Sequence, residues 1–226
     1  MGIIEFKNKA YEALTDYRNV KICLYFVLGV YLSLLLIGVI LAIFTAPDQQ
    51  GYTIWTQWIS DLGSYRHTGF PFLYDIACAV AGVFTIPFTF YLEKVLAPED
   101  SSSRMRIRLA SFGWLIGLIG SIGYVFVGIF SEDRAIEVAA LGTNLHGLFS
   151  GVAFGGFTLS AIFFGLIIVC YDTDVPKALG VYGIIGPAIV MILNIFGTPL
   201  LEWMLLFSIL AWIIPLSLIL IHHGPD

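Results

Sequence analysis

The sequence predicts an all-α protein: a polytopic transmembrane bundle of six helices, with a short interfacial helix in the first outward loop. Three observations predict it: an apolar composition, six apolar stretches of spanning length, and a lopsided distribution of Lys and Arg. Of the 226 residues, 58% are apolar and only 12% charged, with a mean hydropathy of +0.90. Soluble domains carry roughly 25% charged residues, so this chain lacks the polar surface to cover a water-facing globule. Disorder is excluded by the same figures. A nucleic-acid partner is excluded too, because 11 Lys and Arg face 16 Asp and Glu and no basic patch forms.

About 20 apolar residues in a helix cross the hydrocarbon core. Six segments meet that length: 22–44, 72–96, 109–130, 141–171, 178–196 and 200–221, separated by polar breaks such as 46–50, 98–103 and 171–176. Residues 1–21 read as a cytoplasmic N-terminal segment and 22–226 as one six-helix transmembrane domain. The polar stretch before the first segment, and that segment's length, suit a permanent anchor rather than a cleaved signal. Lys7, Lys9, Arg18, Lys21, Lys94, Arg104, Arg106, Arg108 and Lys177 fall on one side, leaving Arg66 and Arg134 on the other. The positive-inside rule then makes both termini cytoplasmic and loops one, three and five outward, in a cell-membrane protein.

Packing signals come next. Gly147, Gly151 and Gly155 recur every fourth residue, and Gly113, Gly117, Gly120 and Gly123 mark a second surface. Small residues at this spacing let helices approach closely in lipid. Gly180, Gly183, Pro187 and Asn194 align on the fifth segment, and Pro87 and Pro187 should bend their helices. Cys23 and Cys170 fall at cytoplasmic helix ends, in a reducing environment, and Cys78 half a membrane thickness from either, so no disulfide framework is expected and all three read as packing residues. The adjacent His222 and His223 are given no role.

Polar groups gather at the outward side. In loop one, Trp55, Trp58, Ile59 and Leu62 follow i, i+3, i+4, i+7, one face of a short helix on the membrane surface. Its other face would carry Gln57, Ser60, Asp61 and Ser64, with Gly63 as terminator. Loop three contains Ser131, Glu132 and Asp133. His146 opens the fourth segment, within reach of that acidic turn, and Asn144 lies beside it. Asp75 sits one turn into the second segment, and Glu202 flanks the fifth loop next to Trp203, a candidate aromatic-belt anchor. Ionisable groups at such positions face a partner or a cavity. Asp61, Asp133 and His146 are therefore the candidate catalytic residues. Ser60, Asp75, Glu132, Asn144 and Glu202 are the candidate binding residues, and the acidic cluster is a candidate site for a divalent cation. The seven acids of the outward side, Asp48 and Glu137 among them, face only two arginines, so the net charge of −5 resides there and suits cations or cationic headgroups.

With Ile-Ser-Asp-Leu-Gly at 59–63, Phe-Ser-Glu-Asp at 130–133 and His146 at the head of a helix, the chain resembles the six-helix Frag/DRAM-related membrane proteins, in particular their uncharacterised prokaryotic branch. The motif positions are Ser60, Asp61, Leu62 and Gly63, then Glu132, Asp133 and His146; Ser131 stands where a proline is frequent. The resemblance implies six helices and a lipid-linked role. Zinc-dependent ceramidase-type hydrolases need a His-x-x-x-His pair that the last helix lacks, and a retinal protein needs a late-helix lysine. Three function classes stay open. The favoured one is a lipid-binding, sensing or scaffolding protein with membrane lipids as partners. The others are an enzyme modifying outer-leaflet lipid or lipid-linked headgroups, with Ser60 a nucleophile lacking an elbow motif, and a transporter of a small neutral or apolar solute.

Overall fold

The protein was analysed as a computed structural model, which describes residues 2–46, 51–98, 103–138 and 142–222. Asp48, Leu141 and His223, with most of the polar breaks at 46–50 and 98–103, lie outside the described residues. A short helix, Ile3–Thr15, precedes six helices long and apolar enough to cross a membrane. They are span 1 (Tyr17–Thr45), span 2 (Phe72–Leu96), span 3 (Arg104–Ile129), span 4 (Leu145–Cys170), span 5 (Lys177–Phe196) and span 6 (Pro199–His222). Loops one, three and five share one end of the bundle, here the loop-one end; the other is the terminal end.

Three helix starts differ from the sequence expectation because capping, not hydropathy, sets them. Asp16 accepts from the Asn19 amide at 3.0 Å and opens span 1 five residues early. Ser103 accepts from Arg106 at 3.3 Å, which brings Arg104, Arg106 and Arg108 into span 3. Asn144 accepts from Gly147 at 2.7 Å and starts span 4 at Leu145. A side-chain acceptor at these positions satisfies an amide that the helix itself leaves unpaired. Pro87, Pro187 and Pro215 all lie inside helices that continue through them.

The tight core joins spans 2, 3, 4 and 5 in sequence order. One of its close approaches is at Gly120 and Gly156: a Cβ on Gly156 would lie 2.6 Å from the Gly120 Cα. Backbone meets backbone there, so dispersion contacts replace the hydrophobic drive that lipid cannot supply. Gly180 packs likewise against Gly165 and Ile168, and Gly183 against the Trp212 indole. The expected stripe on span 4 is not the packing face. Gly151 has open space around it, Gly155 meets only the Met191 methyl at 3.9 Å, and Gly147 abuts its own loop. Span 4 turns Gly156 and Gly165 inward instead. Of the cysteines, all free, only Cys78 is buried; Cys170 is exposed and has no packing role.

Span 1 packs chiefly on span 2, and span 6 on spans 4 and 5. Span 1 contains one π-helical stretch, Phe26–Tyr31. At the terminal end the Tyr17 hydroxyl donates to the Ile221 carbonyl at 2.6 Å and ties span 1 to span 6.

Filling the Gly120–Gly156 contact should be destructive. Gly156→Leu is expected to cost about 1–3 kcal/mol or more by overpacking, whereas Gly151→Leu, facing open space, should be tolerated. Thermal unfolding of the two variants in detergent checks this: the first should melt well below wild type, the second close to it.

Candidate functional site

The loop-one end is organised by three consecutive side chains. Span 3 stops at Ile129, and the chain reverses through Ser131 into a single 3-10 turn, Glu132–Arg134, closed by the Arg134 amide on the Ser131 carbonyl at 2.8 Å. Ser131 takes φ −61°, the angle a proline ring would impose, so serine there leaves the φ of the turn unchanged. Each residue of the turn then reaches a different element.

Arg134 reaches span 2. Its Nη2 lies 2.7 Å from Asp75 Oδ2 and also donates to the Gly128 carbonyl at 2.9 Å, while Nε donates to Ile129 at 3.1 Å. These bonds give the last carbonyls of span 3 a cationic partner, which the helix dipole favours. They also pair a carboxylate that would be costly alone in the membrane. Asp133 reaches loop one: Oδ1 accepts from the Ser64 hydroxyl at 2.8 Å and Oδ2 from the Tyr65 amide at 2.7 Å. Glu132 reaches span 4, with Oε1 3.7 Å from His146 Nε2. His146 is 3% exposed, and its Nδ1–H donates to the Phe130 carbonyl at 2.8 Å. A carbonyl oxygen can only accept, so that bond places a proton on Nδ1.

Loop one does not float on the surface. It contains a short helix, the 3-10 turn Ser60–Gly63, but less than the four-residue apolar face suggested. Gln57, Ser60 and Ser64, expected on a polar outer face, are buried, as are Ile59 and Leu62; of the four residues of the apolar face, Trp55 alone is exposed. The reason is hydrogen bonding back into the bundle. Glu202 Oε2 accepts from the Ile59 amide at 2.8 Å, and Trp203 Nε1 donates to the Gln57 carbonyl at 3.2 Å. Trp203 is therefore a buried clamp rather than a belt anchor. The Tyr52 hydroxyl donates to the Trp58 carbonyl at 2.6 Å, and burial pushes its titration upward so that it stays a donor. Gly63 lets the loop lie on span 2: a Cβ there would stand 3.0 Å from the Tyr74 ring and 3.3 Å from Asp75 Oδ1.

Asp61 Oδ2 accepts from the Trp58 amide at 2.8 Å, and Oδ1 lies 3.5 Å from His67 Nε2. Burial raises the Asp61 carboxyl above the usual carboxylate range. The Trp58 amide and His67 pull it back, and Glu132 adds to the rise. Asp61, Ser64, Arg66, His67, Glu132 and Asp133 together line a cleft of about 270 Å³. Two His–carboxylate pairs thus stand at this end, Asp61 with His67 and Glu132 with His146.

Three of the expected site residues, Asp61, Glu132 and Asp133, share the cleft, and His146 joins through Glu132. Asp75 lies beneath, under Gly63 and against Arg134; Glu202 holds the Ile59 amide, and Ser60 is buried. Asn144 is apart, its side-chain oxygen engaged as the span 4 cap and its backbone in a two-residue ladder, Glu137–Val138 with Thr143–Asn144. Among the described residues no three His, Cys, Asp or Glu side chains group closely enough to hold a metal ion. Of the acids of the cluster, Asp133 is engaged with Ser64 and Tyr65, and Asp61 with the Trp58 amide. His67 and Arg134 were missed as site residues. Arg134 carried a signal, since an intramembrane Asp75 needs a cation and loops one, three and five hold few.

The fold and this cluster define a six-span integral membrane protein whose polar groups close one end of the bundle. The chain belongs to the family described as protein of unknown function (DUF998), whose model matches residues 28–219. That match carries no evidence for a Frag/DRAM relation specifically. No curated protein and no solved structure matches the chain.

The raised Asp61 carboxyl predicts a pH dependence. The folded state holds this proton more tightly than the unfolded chain, so the group's contribution to stability is full below the ordinary carboxylate range. It falls as pH rises from there through the folded value. Asp61→Asn removes the loss, so the variant's melting temperature relative to wild type should climb across that window and level off above it. Melting curves from pH 4 upward check the slope; a constant difference would show that Asp61 titrates normally.

Proposed function

We propose that the protein binds membrane lipid at the loop-one end, its cleft receiving a zwitterionic headgroup that carries an amine and a phosphate. The cleft lined by Asp61, Arg66, His67, Glu132 and Asp133 carries this reading. Asp61 and Glu132 face a cleft that suits an ammonium group, and Arg66 supplies a guanidinium fitted to a phosphate. Trp55, 68% exposed in loop one, suits the headgroup level, where indoles concentrate. The Lys and Arg bias supports placing this end outward, with both termini cytoplasmic, in the cell membrane. The lipid-linked role implied by the Frag/DRAM resemblance is compatible with the same reading.

A catalytic role rests on a narrower observation: Glu132, which lines the cleft, lies 3.7 Å from the buried His146 ring, a carboxylate–imidazole pair of the kind that passes a proton. Analysis of the lipid for headgroup release separates turnover from binding in the experiment that follows.

Purified full-length protein is melted in detergent with phosphatidylethanolamine, phosphatidylglycerol or soluble phosphoethanolamine. A ligand that binds only the folded state raises its stability by mass action. The amine lipid should raise the melting temperature, the anionic lipid should not, and Asp61→Asn with Glu132→Gln should abolish the difference. Equal shifts from the two lipids, or a full response in the double variant, would overturn the proposal. A response to soluble phosphoethanolamine equal to that of the lipid would assign the cleft to a free metabolite instead.

A further inference from the structure

At the terminal end, opposite the cleft, spans 2, 3 and 6 and the loop between spans 4 and 5 enclose a cavity of about 240 Å³. Pockets for drug-sized ligands begin at roughly 300 Å³, so an occupant here is small. Asp172 and Asp174 of the loop are lining residues and both are exposed. Carboxylates are exposed to water and not to lipid, so the cavity opens to the aqueous side.

Two donors in its wall are unspent. The Arg106 guanidinium is held by the Leu96 carbonyl, which accepts from Nε at 2.5 Å, and by the Asp172 carbonyl, which accepts from Nη2 at 3.3 Å. Its Cζ also lies 5.4 Å from the centre of the Tyr171 ring. Of the five N–H groups of a guanidinium, those bonds use two. Tyr91 lines the same cavity, is 7% exposed, and gives its hydroxyl to no described residue. A buried hydroxyl without a partner is costly and calls for one. Both groups ask for an acceptor. The rim asks for the opposite, since the side-chain carboxylates of Asp172 and Asp174 have no partner among the described residues and would repel a simple anion. Val95, Val175, Ile219 and Leu220 make the remaining wall apolar.

We infer that this cavity binds a small water-soluble zwitterion with an apolar side chain, an α-amino acid. Its carboxylate lies on Arg106 and Tyr91, its ammonium group faces Asp172 and Asp174, and its side chain rests on Val175 and Leu220. A guanidinium already fixed by two carbonyls and a ring offers a planar fork to a carboxylate with little ordering left to do. An amino alcohol phosphate would leave the apolar wall uncovered. The inference stands apart from the loop-one cleft, which lies at the other end of the bundle.

Titration calorimetry of purified full-length protein in detergent tests it with L-leucine as the probe. L-Leucine should bind saturably, one per protein. N-Acetyl-L-leucine lacks the ammonium group, L-leucinamide the carboxylate and glycine the side chain, and each should bind at least tenfold more weakly. Asp172→Asn with Asp174→Asn alters exposed side chains only and should weaken L-leucine at least tenfold; Tyr91→Phe should weaken it at least threefold. Absence of saturable L-leucine binding to the wild type would overturn the inference, as would an analogue that binds as tightly. Unchanged affinity in either variant would overturn it as well.

Discussion

The joining of span 2, span 4 and the Ser64–Tyr65 part of loop one depends on the turn of Glu132, Asp133 and Arg134. Three adjacent residues in a 3-10 turn point in three directions, and here each direction ends on a different element: span 4, loop one and span 2. The pair between Arg134 and Asp75 is the anchoring contact. Asp75 is nearly buried in a helix that lipid surrounds, and a carboxylate there without a cation would be a heavy liability. Once Arg134 is fixed on Asp75 and on the last carbonyls of span 3, the turn can adopt only one pose. Asp133 is then aimed at Ser64 and Tyr65, and Glu132 at His146. The cleft is the space these constraints leave.

The bundle below is built unevenly. Spans 2 to 5 touch backbone to backbone through glycines, where adding one carbon would force helices apart. Span 1 and span 6 instead bring buried side chains into the same two core clusters, and polar ties join their ends. Such construction places the glycine-mediated helix contacts in the middle of the chain. Loop one is pulled inward: Glu202 and Trp203 hold the loop by backbone groups that would otherwise lack partners.

Much of this was legible in the sequence. Six apolar stretches of spanning length leave no other architecture, and the grouping of Asp61, Glu132, Asp133 and His146 at one end follows from alternation of the helices. What was not legible is who pairs with whom. The amphipathic spacing of Trp55, Trp58, Ile59 and Leu62 described a surface helix, but four residues weigh less than buried hydrogen bonds to Glu202 and Trp203. The Gly147, Gly151, Gly155 stripe followed the right rule on the wrong face, since a period of four appears on several sides of a glycine-rich helix. His67 was passed over because it lies outside the apolar segments, and its relation to Asp61 exists only after the loop folds back.

The central claim is that the Arg134–Asp75 pair fixes the turn and, through it, loop one. Hydrogen exchange at the Ile59 and Tyr65 amides in Arg134→Met tests it most directly, because neither amide touches Arg134. The account predicts that both lose protection while amides in the middles of spans 3 and 4 keep theirs. Wild-type exchange at Ile59 and Tyr65 in that variant would contradict it.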